Sequence, residues 1–187
     1  MAVISSLKPN VTQEEAIAAL NPRSLLGAVQ NHLTGPLRSI AAVYVPFQMF
    51  RTTIQNGPQR EERLMAIDAV RGSLDLYRFE QIPAPSELVC VETRNYLPAE
   101  LAPDRAAELL KERLRRMVFR RGFFRVRDFS ILAIPIGSEV HIPYWVGFRG
   151  RGVRAHLSVL DAVRRRQEGS KARDLFRRWL AASDPVI

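Results

Sequence analysis

Two stretches of the chain, "SEVHIPYWVGF" and "VRAHLSVLDAV", put two histidines, a tryptophan and an arginine on the arms of one β-hairpin closed at "RGRG". A hairpin turning on Gly150–Arg151 sets Trp145 opposite His156. Strand alternation then gathers Ile142, Tyr144, Val146 and Phe148 with Val153, Ala155, Leu157 and Val159 on one face, which reads as core. The other face collects His141, Trp145, Arg154, His156 and Ser158. Imidazoles that titrate near neutrality, beside an indole and a guanidinium, could move protons or stack on an aromatic ligand. That makes His141, Trp145, Arg154 and His156 the candidate binding surface. The plainer reading is a tryptophan covered by a helix and histidines at the rim. It is preferred because the first half carries Tyr44 and Gln48 where the second carries His141 and Trp145.

Other chemistries find less. Three dispersed histidines and one cysteine supply no metal-ligand spacing, and no metal or cofactor is expected. Cys90 alternates within the apolar strand "ELVCVET" and reads as a small core residue. No phosphate-cradling glycine loop, nucleophile elbow or zinc-protease motif occurs, so no catalytic residue is assigned. Asp68 and Asp161, each in "DAVR", could be paired carboxylates. A strand-ending aspartate that accepts from the amides of the following turn explains them more simply. Ser73 and Ser170 would then cap succeeding helices.

The net charge of +9 belongs wholly to the second half. Residues 1–95 hold nine Lys and Arg against nine Asp and Glu; residues 96–187 hold nineteen against ten. Candidate anion-binding residues are Arg115, Arg116, Arg120, Arg121, Arg164, Arg165, Arg166, Arg177 and Arg178. A continuous arginine patch would bind a nucleic acid with steep salt dependence. However, 25 of the 28 cations are Arg, a skew that GC-rich coding produces unaided, and Arg115, Arg116, Arg177 and Arg178 lie on polar helix faces.

The elements that must position these residues are legible. A chain of 187 residues buries roughly 70 % of its unfolded surface, enough for a core without disulfides. No run reaches the roughly 18 apolar residues a membrane helix needs, and no charged-then-apolar leader opens the chain, so a cytoplasmic, non-transmembrane protein is expected. "VTQEEAIAAL" predicts a helix with a Thr12/Glu15 capping box. Asn21-Pro22 restarts the chain into a second helix carrying Leu25, Leu26, Val29 and Leu33. "RSIAAVYVPFQMFRTTI" and Arg63 to Val70 predict a long hairpin about "QNGPQ". In the second half, a helix starts at Pro103 with Ala106, Leu110, Leu114, Met117 and Val118 on one face and stops at Gly122. A strand in "FFRVRDFSILAIPIG", the hairpin above and an amphipathic helix from Ser170 follow.

"VYVPF" over "VHIPY", "DAVR" over "DAVR" and "VTQEEAIAAL" over "LAPDRAAELL" occur in the same order in both halves. The pattern predicts an α+β protein of two fused, diverged helix-plus-antiparallel-sheet modules, residues 1–95 (neutral) and 96–187 (basic), packed as one compact unit. Each module, a helix and then a meander ending in Asp-Ala and a turn glycine ("AIDAVRG", "VLDAVRRRQEG"), resembles the PepSY-like module within the cystatin-like α+β folds. The resemblance implies a binding role and transfers no catalytic residue. The expected function is thus a non-catalytic binding or scaffolding protein, monomer or homodimer, whose basic half faces an acidic protein, peptide or anionic surface. The alternatives are nucleic-acid binding by that half, and an enzyme using the His141/Trp145/His156 face.

Overall fold

The computed structural model describes residues 1–21, 35–120, 128–137, 139–150 and 156–183. In chain order it forms β1 (Ala2–Leu7), α1 (Gln13–Leu20), β2 (Leu37–Asn56), β3 (Gln59–Asp68), β4 (Tyr77–Phe79), a 3-10 turn (Pro85–Glu87), β5 (Leu88–Thr93), α2 (Pro103–Arg120), β6 (Ser130–Pro135), β7 (Val140–Arg149), β8 (His156–Asp161), β9 (Arg166–Gln167) and α3 (Ser170–Ser183). Helices together with a mixed multi-strand sheet make this an α+β fold. Among the described residues, no helix is long and apolar enough to cross a membrane.

The chain divides into two compact units. One comprises Met1–Val45, Leu88–Leu97 and His141–Ile187; the other comprises Pro46–Glu87 and Pro98–Val140. Neither coincides with residues 1–95 or 96–187. The first unit combines α1 from the N-terminal half with the β7–β8 hairpin of the C-terminal half, and the second combines α2 with the β2–β3 hairpin.

In the first unit, α1 opens with the expected capping box: Thr12 Oγ1 accepts from the Glu15 amide at 3.2 Å and Glu15 Oε2 from the Thr12 amide at 2.9 Å. Its apolar side, Ala16 and Leu20 with Val11, packs on Leu160, Trp145, Leu37 and Ile40. The other face of the β7–β8 hairpin buries Ile142, Tyr144, Val146, Leu157 and Val159. There α3 supplies Ala172, Leu175 and Phe176, with Phe176 edge-on to Tyr144 at 5.7 Å. Each such large apolar side chain contributes about 1.5–3 kcal/mol on burial. β1 pairs antiparallel with β5 and, at Ser6, parallel with β7, while β7 lies beside β2. Beyond β5, the Tyr44 amide donates to Asn95 O and the Leu97 amide to Tyr44 O, both at 2.9 Å. The strand order therefore closes on itself: β2, β7, β1, β5 and, through Tyr96, β2 again.

Arg149, at the end of β7, is 1 % exposed. Its guanidinium donates to Ser158 Oγ at 3.1 Å, to Gly35 O at 3.0 Å and to Leu20 O at the α1 terminus. α1 has no basic residue in its last turn, so Arg149 brings from elsewhere in the chain the cation that a helix C-terminus favours.

In the second unit, β2 and β3 pair from Phe47↔Asp68 to Asn56↔Gln59 around Gly57–Pro58, with Gly57 at φ +57°. β6 lines the other side of β2, and β4 adds to β3 over Leu64–Ala66, giving the order β4-β3-β2-β6. α2 covers one face: Ala106, Ala107, Leu110 and Leu114 pack on Phe50, Ile54, Met65, Ile67 and Ala133. Met117, expected on that face, is 41 % exposed. Four residues on from Leu114, Val118 stays on the stripe and packs, whereas the three-residue step swings Met117 to its flank.

The two "DAVR" segments share a hydrogen-bond pattern. Ala69 donates to Pro46 O at 2.8 Å and Ala162 to Pro143 O at 3.1 Å; Glu100 donates to Ala69 O at 2.9 Å and Asn10 to Ala162 O at 2.7 Å. Both aspartates are fully buried and accept from turn amides: Asp68 from Arg71, Gly72 and Leu74, Asp161 from Val163 and Arg164. This is the structural role their position predicts.

Three further expectations are corrected. The β7–β8 register is shifted by four residues, so Trp145 faces Leu160 and His156 faces Arg149. No helix follows Ser73: Asp68 Oδ2 holds the Leu74 amide at 2.7 Å, and the chain runs out into β4 with Leu74 and Tyr77 buried. Cys90 is exposed because its partner in the register is Ser5, on the uncovered face of the β1–β5 ribbon that also carries Val3. β1 itself was not expected. The helix expected over Leu25–Leu33, the stop at Gly122, and Val153 and Ala155 lie outside the described residues.

Candidate functional site

A strand of β3's length invites a partner along its whole outer edge, yet β4 pairs with only Leu64, Met65 and Ala66. The sequence explains why. "YRF" is a good short strand, but "EQIPAP" follows it, and Pro83 and Pro85 can donate no ladder bond. Residues Gln59–Arg63 are consequently left, among the described residues, with β2 as their only strand partner.

Where β4 ends, a cleft of about 630 Å³ opens, lined by Arg51, Glu62, Arg63, Leu64, Arg78, Phe79 and Glu80. Its walls come from both faces of the sheet. By the register, Arg51, Glu62, Leu64 and Phe79 point to the side away from α2, and Arg63 and Arg78 to the side of Met65 that α2 covers. A cleft bounded by residues of both faces is a notch in the sheet's edge. Its inner wall is fixed by packing: Phe79 stacks on Tyr77 at 5.9 Å, and Tyr77 meets Phe47 edge-on at 5.2 Å. The open face continues over β6, where Leu132 and Ile134 are 53 % and 50 % exposed.

The charges in the cleft are not equivalent. Arg63 holds Glu61 through two guanidinium nitrogens, and Arg60 pairs with Glu62 at 2.8 Å. Arg51 and Arg78, both exposed, make no ion pair or side-chain hydrogen bond with any described residue. Two open guanidiniums, Arg51 on the face of Leu64 and Phe79 and Arg78 on the other, suit a ligand that carries carboxylates, which arginine takes bidentately, beside apolar groups.

The residues singled out from sequence do not converge. His141 is half-buried, with Nδ1 3.2 Å from Ser5 O and its ring against Tyr96 at 6.5 Å. Burial pushes its pKa below the ordinary value, against the opposing pull of the Ser5 carbonyl. Trp145 Nε1 donates to Val11 O at 2.9 Å under α1. His156 is exposed opposite Arg149, eight residues along the strand from His141, a separation of about 26 Å at the rise of an extended chain. Arg154 lies outside the described residues.

The arginines are likewise dispersed. Arg115, Arg116 and Arg120 are exposed on α2 in the second unit, with Arg116 on Glu112. Arg164, Arg165, Arg166, Arg177 and Arg178 belong to the first unit. There Arg165 donates to Asn10 O, Arg166 pairs with Glu168 and Arg177 with Asp174, and Arg178 is exposed on α3. Arg121 lies outside the described residues. Arg113, which the sequence did not single out, donates to Gly72 O at 2.8 Å and to Leu74 O, clamping α2 onto the first "DAVR" turn. Burial lowers its pKa, and the charges of Asp68 and Asp75 act in the opposite sense.

Arg51 and Arg78 escaped notice because the charge asymmetry directs attention to the second half. Their signal was alternation. In "QMFRTTI" the arginine falls between two core residues, and in "YRFEQIPAP" a strand is cut short by prolines beside a longer arm. Compared with known protein families, with curated proteins and with solved structures, the chain matches none.

Proposed function

We propose that the chain is a non-catalytic binding protein that holds an acidic segment of a partner protein in the edge cleft of its second unit. The observation that carries this reading is the pair of exposed, unengaged guanidiniums, Arg51 and Arg78, that line the cleft together with Leu64 and Phe79. The acidic partner is the one that the net charge of +9 attracts at long range. The contact lies in the neutral half of the sequence, and the arginines of the second half contribute field. The scaffold is a duplicated helix-and-hairpin unit whose copies have exchanged helices. The matched bonds of Ala69 and Ala162, and of Glu100 and Asn10, support this. A helix on an antiparallel hairpin in each unit is also what a PepSY-like or cystatin-like module would present, and it supports binding over catalysis.

The test is fluorescence anisotropy with a labelled Glu-Val-Glu-Val-Glu-Val peptide, blocked at both ends, at low and moderate salt. Arg51→Glu with Arg78→Glu weakens binding at least tenfold, about 1.4 kcal/mol. Arg115→Glu with Arg116→Glu changes it less than twofold. A peptide that does not bind at low salt, or binds the double variant equally, overturns the reading. So does capture of a single-stranded RNA oligonucleotide in its place.

A further inference from the structure

We infer that two copies of the chain associate through the outer edge of β6, joining their second-unit sheets across a twofold axis at Leu132. The cleft lies at the opposite edge of the same sheet, so the inference goes beyond the binding role proposed above and does not depend on what the cleft holds.

Among the described residues, β6 has β2 as its only strand partner. Ile136, just past the strand, donates to Met49 O at 2.8 Å, which fixes the phase of the ladder. Ser130, Leu132 and Ile134 therefore turn their amides and carbonyls to β2, while Ile131, Ala133 and Pro135 turn theirs outward. Two such edges can exchange ladder bonds only between outward residues. Set antiparallel about Leu132, Ile131 of each copy faces Ala133 of the other, and every outward donor and acceptor of both residues is used. Pro135, which has no N–H to give, falls outside these pairs.

The side chains suit the same arrangement. On the face away from α2, the half-exposed Leu132 meets the partner's Leu132 on the axis, in the closer type of antiparallel pair, with the half-exposed Ile134 of each copy beside them. Ser130 to Gly137 carries no charge, in a chain whose net charge of +9 repels a second copy elsewhere. Edges that stay single are commonly guarded by charged side chains, and β6 has none. Nor does α2 obstruct the joint. It packs on Met65 and Ile67 of β3, Phe50 and Ile54 of β2 and Ala133 of β6, and so is centred over β2. The two helices are then three strand spacings apart, about 14 Å, against about 8–10 Å for helices in contact. An edge of six residues falls short of the roughly 1,200 Å² of a stable interface, so the dimer is weak and forms at high concentration.

Sedimentation equilibrium of the intact protein, from micromolar to near-millimolar concentration, should show a monomer–dimer equilibrium that tightens as salt screens the net charge. Leu132→Lys and Leu132→Glu each set like charges on the axis and should weaken the dimer at least tenfold. An equimolar mixture of the two variants recovers association, because position 132 faces position 132. The position is exposed, and an unchanged far-UV circular dichroism spectrum shows that each variant keeps the fold. On concentrating the parent protein, the Ile131 and Ala133 amides gain protection from hydrogen exchange, while the Leu132 amide, already bonded to β2, does not change. A protein that stays monomeric overturns the inference. Ile131 and Ala133 amides already protected in the monomer also overturn it, since the chain then covers this edge itself. A dimer indifferent to both substitutions, or a mixture that fails to associate, overturns the pairing at Leu132.

Discussion

Asp68→Asn tests the logic of the turns on which both hairpins end. The Asp68 carboxylate is fully buried, and both of its oxygens are in use: Oδ1 accepts from Arg71 and Gly72 at 2.8 and 2.9 Å, Oδ2 from Leu74 at 2.7 Å. Asparagine keeps one oxygen, which can remain on Arg71 and Gly72, and turns an NH₂ toward the Leu74 amide. A bond to a charged acceptor, worth about 1.5–3 kcal/mol, becomes two buried donors facing each other. The variant also removes the negative charge that acts on the half-buried Arg113 guanidinium. The loss should be about 3 kcal/mol. Asp68→Ala, which loses all three bonds, should cost more than Asp68→Asn. Urea unfolding followed by far-UV circular dichroism gives both values from the same linear extrapolation. A loss below about 1 kcal/mol for Asp68→Asn, or one equal to that of Asp68→Ala, would refute the argument from oxygen usage.

Gly72 sits at φ +64°, and a Cβ there would lie 3.0 Å from Leu109 Cδ1, whereas nothing lies within 4 Å of a Cβ at Gly169. Gly72→Ala should cost about 1–2 kcal/mol and Gly169→Ala less than about 0.5 by the same denaturation, and comparable costs would contradict this. Arg149→Leu removes the donor that Leu20 O, Gly35 O and Ser158 Oγ share, for a loss of about 3 kcal/mol; a variant as stable as the parent would show that the buried guanidinium is dispensable. His141 is held below its ordinary pKa of 6.5 by burial, so the unfolded chain binds its proton first. Its contribution to stability is complete above that value and declines as the pH falls through it. His141→Gln should flatten the fall in unfolding free energy between pH 7.5 and 5.5, and an unchanged slope would exclude this histidine as its source.

What the sequence made legible was local. The Thr12/Glu15 box, the α2 stripe at Ala106, Leu110 and Leu114, the buried face of the β7–β8 hairpin and the two turn aspartates depend on spacings of two to four residues, and each formed as written. The β7–β8 register lay beyond reach, since moving the turn centre by two residues shifts the pairing by four and leaves every side chain on its face. β1 was missed because in "AVISSL" both serines carry strand positions, and Ser6 is fully buried. The cleft was hidden for a related reason. Its charged residues look solvated in the sequence, and only the early stop of β4 turns them into walls.

The pairing of each helix with a hairpin distant in sequence shows where such reading ends. Ala69 receives Glu100 and Ala162 receives Asn10, so each turn closes on the approach to the other half's helix. The two helices differ in size: α1 has eight residues, a capping box and Ala16 and Leu20 buried, whereas α2 has eighteen residues and buries Ala106, Ala107, Leu110 and Leu114. Which hairpin each covers is a non-local choice, decided by side chains far apart in the sequence. Arg149 is one of these, since it ties the end of α1 to β7 of the other half, and the position 97 residues before it is Thr52, with no guanidinium to offer. Long-range contacts of this kind, and no local spacing, decide which helix belongs to which hairpin.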